Sequence, residues 1–417
     1  MRSVLTPRVL FINKYYRPDN AATAQMLSDL AEFLAGHGFA VTVLTGRSGY
    51  RRSGGRLRCR ETLNGVRVIR VASAGFGRRR TVGRLLDYVT FFFSAMVAAF
   101  GLPRQDVVVA MTSPPMIHVL GGVLHRIRRW RLALWTMDVY PDVAAALGVL
   151  SRTSCLFRCL ADINRRVLRS ADVVIAIGSR MAERLARAGT RAEALHTVHN
   201  WADGRHIVPV PPDENPFRLE QGLGQRFVVE YSGNVGLGHA FDAMLEGARR
   251  FNSDSEIAFL FIGGGPAMQR VLAYERRHAL HNLVRLPWQP RERLALTLSA
   301  GDVHVVTLKQ GLEGLLVPSK IYGIMAAGRP VIFVGPEACD TARVIRKAAC
   351  GFVISNGDAD GFVECVERLR AEPALRARLG RNARRFFEAN FDRPAACARI
   401  ERILRGSLRA GLRDGGR

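Results

Sequence analysis

The stretch Glu313–Pro330, EGLLVPSKIYGIMAAGRP, gathers residue types that can hold an anion. Pro318 and Ser319 read as a helix start, with Ser319 as cap or first-turn residue. The free backbone N–H groups and the dipole of such an end attract phosphate. A cation in the first turn opposes that dipole, so Lys320 makes sense there if a bound anion neutralises it. The competing reading is a solvated surface lysine. Lysine is scarce here, however: only Lys14, Lys309, Lys320 and Lys347 occur. Two glycine clusters follow strand-like runs. Gly233-Asn-Val-Gly236-Leu-Gly238 has the spacing GxxGxG rather than the dinucleotide GxGxxG, and Gly263-Gly264-Gly265-Pro266 opens a helical stretch. Each is either a tight turn or a place where backbone passes close to a ligand. No Walker A sequence is present.

Such residues need strands to aim them. Short apolar runs at 9–13, 39–45, 107–112, 132–137 and 173–178 alternate with helical stretches, the first helix running from about Ala22 to Gly36. The alternation restarts with strands at 227–232, 257–262, 303–307, 330–334 and 352–354. This is an α/β chain of βαβ units with parallel sheets. Between the halves lies Val208–Pro216, dense in proline, which reads as an interdomain linker. Two doubly wound domains are expected, over 1–207 and 208–385, followed by a helical segment 386–417 that packs back on the first. Ligands in such sheets bind outside the carboxyl ends of the strands.

With 417 residues, 48% hydrophobic and 23% charged, the chain is long enough for two cores and is neither disordered nor a bundle of spans. Its 61 basic against 36 acidic residues leave a formal +25. Residues 1–200 hold 30 basic and 12 acidic side chains (+18), and residues 201–417 hold 31 and 24 (+7). Nucleic acid, an anionic membrane and a phosphorylated substrate all suit that excess. The uncharged run Val89–Leu102 is too short to span a bilayer. It is either a buried helix or an interfacial one whose phenylalanines enter lipid while Arg78, Arg79, Arg80 and Arg84 meet headgroups. Seven cysteines without a CxxC pair fit a reducing cytoplasm, and the apolar run before Asn13-Lys14 is too short for a signal peptide.

In order along the chain stand YYRPDNAATAQMLSDLAEFL, TSPP (112–115), DVYPD (138–142), NWAD (200–203), YSGN (231–234), IGGGP (262–266) and VPSKIYGIMAAGRPVI (317–332). This set resembles the retaining, nucleotide-sugar-dependent glycosyltransferases of family four, in particular bacterial enzymes of O-antigen and capsule assembly, some transferring fucosamine-type sugars. The resemblance implies a GT-B fold: two Rossmann-like domains facing across a cleft, with donor on the second and acceptor on the first. Ser319 and Lys320 would hold the donor diphosphate, with Asn20, Gly233, Asn234, Gly264, Gly265, Pro318 and Tyr322 also on the donor side. Asp138 falls where many members keep a histidine, and would take the acceptor proton or orient the sugar. Asp142 is its second choice, and Glu313 a contact to the donor sugar. Lys14 and Tyr16 would shape the acceptor side, and the arginines at 78–80 and 84 its membrane flank. No metal or other cofactor is implied. The expected partners are a nucleoside-diphosphate sugar, a polyprenyl-diphosphate-linked acceptor and the anionic cytoplasmic face of the inner membrane, without nucleic acid.

The chain departs from the family at two places. Many members carry two glutamates eight residues apart, where Leu315 and Gly323 stand here; Glu313 is out of register. Many also carry Arg and Lys five apart, where Asn234 and His239 stand, so Lys320 is left as the main cation for the diphosphate. His118, His196 and His199 read as structural. Two other classes fit the same features: a nucleotide-sugar 2-epimerase on the same fold, and a basic nucleic-acid-binding protein. Against the latter, the arginines are scattered rather than interleaved with aromatics.

Overall fold

The computed structural model describes residues 6–19, 21–47, 57–73 and 81–414. They form two compact units. The first comprises the chain up to His199, the tripeptide Gly314–Leu316 and the chain from Pro394 on; the second comprises Asn200–Glu313 and Val317–Arg393. The division falls at 199/200 rather than 207/208, because the proline segment is seated on the second unit. Ser299 Oγ accepts from the Val210 amide at 3.1 Å, while Arg329 donates to the Val210 carbonyl and Arg384 to that of Ile207, at 2.5 and 2.7 Å. That segment is a fixed strap and not a free linker.

In the first unit, β1 (Arg8–Ile12), α1 (Ala22–Gly36), β2 (Ala40–Gly46), β3 (Arg60–Leu63), β4 (Val66–Val71), α2 (Thr81–Phe100), β5 (Val107–Ala110), α3 (His118–Arg128), β6 (Arg131–Thr136), α4 (Asp142–Ala146), α5 (Cys155–Ser170), β7 (Val173–Ala176), α6 (Ser179–Arg187) and β8 (Leu195–Thr197) build one sheet ordered β3-β4-β2-β1-β5-β6-β7-β8. All neighbours run parallel except the β3–β4 hairpin. Continuous runs such as VVVA and VVIA are buried throughout, as strands covered on both faces require. Chain order reverses between β1 and β5, which leaves a crevice at their carboxyl ends.

Helix α2 is only half committed to this unit. Asp87, Phe91, Ala95 and Ala99, four residues apart, are buried, whereas Leu85, Val89, Phe93 and Val97 form an outward stripe in which Phe93 is 56% and Val97 72% exposed. Gly83–Phe100 has mean hydropathy 1.3 and the length of a span, but its packed face ties it to the sheet.

The second unit carries α7 (Pro216–Glu220), β9 (Phe227–Asn234), α8 (Asp242–Arg250), β10 (Ile257–Gly264), α9 (Met268–Arg277), β11 (Leu283–Leu286), α10 (Leu294–Leu298), β12 (Val303–Thr307), α11 (Lys320–Ala326), β13 (Val331–Val334), α12 (Asp340–Ala348), β14 (Gly351–Ile354), α13 (Ala359–Ala371) and α14 (Pro373–Asn390), its parallel sheet ordered β11-β10-β9-β12-β13-β14. Val229, Tyr231, Phe259 and Phe261 face one apolar core, and the intervening Val228, Ala258, Leu260 and Ile262 face the other. This two-residue alternation sandwiches the sheet between helices. The switch point lies between β9 and β12. Helix α15 (Arg393–Asp414) then returns to the first unit, where Arg405 donates to the His37 carbonyl at 2.7 Å and lies 4.4 Å over the Phe39 ring.

A buried ion pair closes the amino-end side of the second sheet. Arg218 meets Asp302 at 3.0 Å, and the same carboxylate oxygen accepts from the Val228 amide at 2.9 Å. Removing one partner strands the other charge. Asp302→Ala should therefore cost about 3–5 kcal/mol, measured by denaturant unfolding at unchanged slope. A loss below about 1 kcal/mol would mean that the pair behaves as a surface pair.

Candidate active site

The carboxyl ends of β9 and β12 meet the start of α11 in the second unit, and Lys320 is the first residue of that helix. Its ammonium donates to the Asn234 carbonyl at 3.3 Å, approaches His239 Nε2 at 3.2 Å, and lies 4.7 Å from the Tyr231 ring centroid. His239 Nδ1 stands 2.8 Å from the Thr307 carbonyl oxygen. A carbonyl can only accept, so Nδ1 carries the proton and Nε2 presents a lone pair to Lys320. Burial first, and then the Lys320 charge, hold the His239 pKa down at about 3, so the ring stays neutral at physiological pH. The two positions that depart from the family's Arg–Lys pattern thus both hold Lys320.

No carboxylate among the described residues lies within ion-pair distance of this ammonium, and burial lowers its pKa to about 7. A cation without a counter-charge in a sheltered place is what an anionic ligand would complete. Ser319 precedes it as N-cap with helical backbone and makes no capping bond to the helix. Lys309, just past β12, adds a second positive charge that acts on His239. The sequence reading missed it, although a scarce lysine directly after a strand is a legible signal.

The glycines serve this packing. Gly233 has φ +123°, and a Cβ there would stand 2.9 Å from Lys320 Cε. A Cβ on its sheet partner Gly263 (φ +125°) would stand 2.3 Å from the Gly233 carbonyl oxygen. The clusters therefore let two strand ends and a lysine stem share one space. Gly264 lies beside Trp288, whose Nε1 is 3.6 Å from the position of a Gly264 Cβ. Pro318 is buried, and Glu313 accepts from the Gly311 amide at 3.1 Å.

In the first unit, Asp138 follows β6 and pairs with Leu316 in an antiparallel bridge, the Val139 amide donating to Leu315 O at 2.8 Å. Burial pushes the Asp138 carboxyl up to about 6. A pocket of ≈ 20 Å³, about the size for one water, is lined by Thr112, His118, Trp135, Asp138, Tyr140 and Asn164. His118 is thus placed beside Asp138. Burial lowers its pKa to about 4, so it is a neutral imidazole. Burial first, and then the Asp138 and Tyr88 charges, raise the Tyr140 pKa, while the Arg84 charge opposes them. Lys14 is buried, with its ammonium 4.9 Å from the Tyr88 ring centroid.

Two expected ligand-facing residues belong to the core instead. Tyr322 is 1% exposed and packs edge-on against Phe391 at 4.9 Å, since the inner face of a short helix must bury its aromatic. Tyr16 is buried at a loop that Arg70 pins by donating to the Arg17 carbonyl at 2.5 Å. Asn20, Arg78, Arg79 and Arg80 lie outside the described residues. The Lys320 environment makes a direct prediction: NMR titration of its ε-carbon should show a transition near 7 rather than near 10. In sign, the unfolded chain keeps this proton up to about pH 10, so fold stability should rise between pH 7 and 10, and Lys320→Met should abolish that rise. An unshifted transition would contradict the burial.

Comparison with known proteins finds matches on both units. The family model described as "Glycosyl transferase 4-like domain" matches residues 22–201, and "Glycosyl transferases group 1" matches 226–372. A probable glycosyltransferase of Pseudomonas aeruginosa, WbjE, is 29% identical over 287 residues, covering 68% of this chain and 70% of the relative. WcaI of Escherichia coli K12, named as a colanic acid biosynthesis glycosyl transferase, is 24% identical over 342 residues, covering 77% and 81%. Among solved structures, sucrose-phosphate synthase from Thermosynechococcus elongatus superposes with TM-score 0.77 at 16% identity, covering 97% of this chain and all of that one. Anabaena HepE, solved with UDP and glucose, gives 0.74 at 16%, covering 96% and all of that chain. The two family matches span most of the chain, one on each unit, and place it among the GT-B glycosyltransferases.

Proposed function

We propose that the protein moves a hexose or acetamido sugar of the fucosamine type from a nucleoside-diphosphate sugar to a polyprenyl-diphosphate-linked glycan, with retention, in O-antigen, capsule or exopolysaccharide assembly. The observation that carries this reading is the Lys320 ammonium, which has no carboxylate partner and sits at the switch point of the second sheet. Relatives named for glycosyl transfer and colanic acid biosynthesis, and a neighbour of the same fold solved with UDP and glucose, support it.

As the glycosidic bond breaks, negative charge grows on the leaving diphosphate while the sugar becomes oxocarbenium-like. Lys320 and the amides behind Ser319 stabilise that charge without moving, the kind of preorganised field that dominates many enzymes. Gly233 and Asn234 flank the diphosphate, Gly264, Gly265 and Pro318 border the nucleotide, Asn20 belongs to the same donor face, and Glu313 contacts the sugar. Fixed cations do the work that a metal does elsewhere, so the reaction needs none. On the acceptor side Asp138 takes the proton of the attacking hydroxyl. A pKa near 6 leaves it ionised at neutral pH yet basic enough to act. Placement at the cytoplasmic face of the inner membrane is supported by the +18 charge of residues 1–200 and by the outward stripe of α2, whose apolar side chains enter the interface beside anionic headgroups.

Transfer assays test both halves. Lys320→Ala should lower kcat/KM by about tenfold or more with the fold intact, and a near-normal rate would remove Lys320 from the chemistry. With Asp138 as base, kcat/KM should rise with pH through about 6, and Asp138→Asn should lose both the rate and that rise. Epimerised nucleotide sugar formed with no acceptor present would favour a 2-epimerase instead.

A further inference from the structure

We propose that the groove between α3 and α5, at the amino ends of β6 and β7, binds a phosphate-bearing anion at a second site remote from the strand ends that carry Asp138. The groove encloses ≈ 870 Å³, within the range of small-ligand pockets. Arg131 opens β6 and Asp172 precedes β7, so the groove lies at the opposite end of the sheet from the crevice at the β1 and β5 carboxyl ends.

Its charge is not balanced internally. Arg131 is paired with Asp172 at 2.8 Å. Arg126, Arg129 and Arg166 also line the groove, and none has a carboxylate within ion-pair distance among the described residues. The carboxyl ends of α3 and α5 point here, and arginines there could simply answer two helix dipoles. Those dipoles supply only about half a negative charge each, so three unpaired guanidiniums leave the wall at roughly +2. Arg129 also holds a left-handed φ of 54°, a conformation that costs a non-glycine residue about 1 kcal/mol. Trp130, which is 1% exposed, lines the same groove with no hydrogen-bond partner for Nε1.

The floor is apolar, made by valines where α3 and α5 approach closely; a Cβ on Gly122 would stand 3.2 Å from Val167. A ring of guanidiniums over an apolar floor suits a phosphate ester with an apolar body. Arg128 ties this corner to the end of α2 by donating to the Phe100 and Leu102 carbonyls at 2.6 and 2.9 Å. The carboxyl end of α2 is thus held against the end of α3, whose last turn lines the groove. The phosphate can therefore come from a lipid headgroup or from a soluble compound, and neither source depends on the transfer reaction.

The test uses calorimetry with inorganic pyrophosphate on full-length Lys320→Ala protein, so that the donor-side cation does not contribute. Adding Arg126→Ala and Arg166→Ala should weaken binding by about tenfold or more. Adding Arg67→Ala and Arg158→Ala, two arginines outside the groove, should leave it within about twofold. Equal losses in both sets, or no binding to the parent, would overturn the proposal. Flotation with phosphatidylglycerol-containing against pure phosphatidylcholine vesicles then identifies the source. Loss of anionic-vesicle binding in the groove variant assigns a lipid phosphate; unchanged vesicle binding with lost pyrophosphate binding assigns a soluble one. Phe93→Ser with Val97→Ser should weaken vesicle binding while leaving pyrophosphate binding intact, which separates the groove from the membrane reading of α2.

Discussion

A lysine ammonium without a counter-charge governs the second unit. Taking Lys320 from water costs free energy that the Asn234 carbonyl, the His239 lone pair and the Tyr231 face offset only in part, which is why its pKa falls to about 7. Much around it follows from that requirement. His239 must be the Nδ1–H tautomer, fixed by the Thr307 carbonyl, or it would aim a proton at a cation. Gly233 must lack a Cβ so that the lysine stem can pass, and Gly263 must lack one so that β10 can follow β9 to its end. The two apolar layers on either side of the sheet hold these strand ends in register. Rigid packing here is what lets a lone charge stay in place without a partner.

The first unit solves a different problem. Asp138 carries a carboxyl whose pKa burial has raised to about 6, in a small pocket shared with neutral His118 and with Tyr140. Helix α2 has two roles by virtue of its period: one stripe packs into the unit, and the opposite stripe, four residues apart, stays outward. The wide excess of arginine over aspartate and glutamate divides in the same way. Arg84 acts on Tyr140, Arg131 and Arg405 belong to internal ties, and Arg126, Arg129 and Arg166 to an open groove.

The sheets were legible in the sequence because parallel strands buried on both faces appear as unbroken apolar runs, and each of the ten expected runs is a strand. β3 and β4 have no unbroken apolar run, since β3 is a charged edge strand and Arg67 and Arg70 interrupt β4; the Asn64-Gly65 pair, both residues at positive φ, is the available hairpin signal. β8 has only three residues, and β11, at the sheet edge, is interrupted by Arg285. At the candidate site, Lys320 and Ser319 could be singled out from helix-start chemistry alone. The glycine clusters were legible as close approaches, but the approaching body proved to be Lys320 and a neighbouring strand. Tyr322 and Tyr16 misled because an aromatic beside a motif looks the same in sequence whether it faces a ligand or the core. His118 and Asp138, twenty residues apart, line one pocket with Asn164, a neighbourhood that only the fold creates.

The central claim, that the unpaired Lys320 charge is completed by the donor diphosphate, has a direct measurement. Calorimetric titration of the protein with a nucleoside diphosphate at pH 8, repeated in buffers of different ionisation enthalpy, reads the protons taken up on binding. A lysine with a free pKa near 7 that gains a diphosphate partner should take up about one proton, and Lys320→Met should take up none. Tight binding with no proton uptake in the unaltered protein would contradict the account.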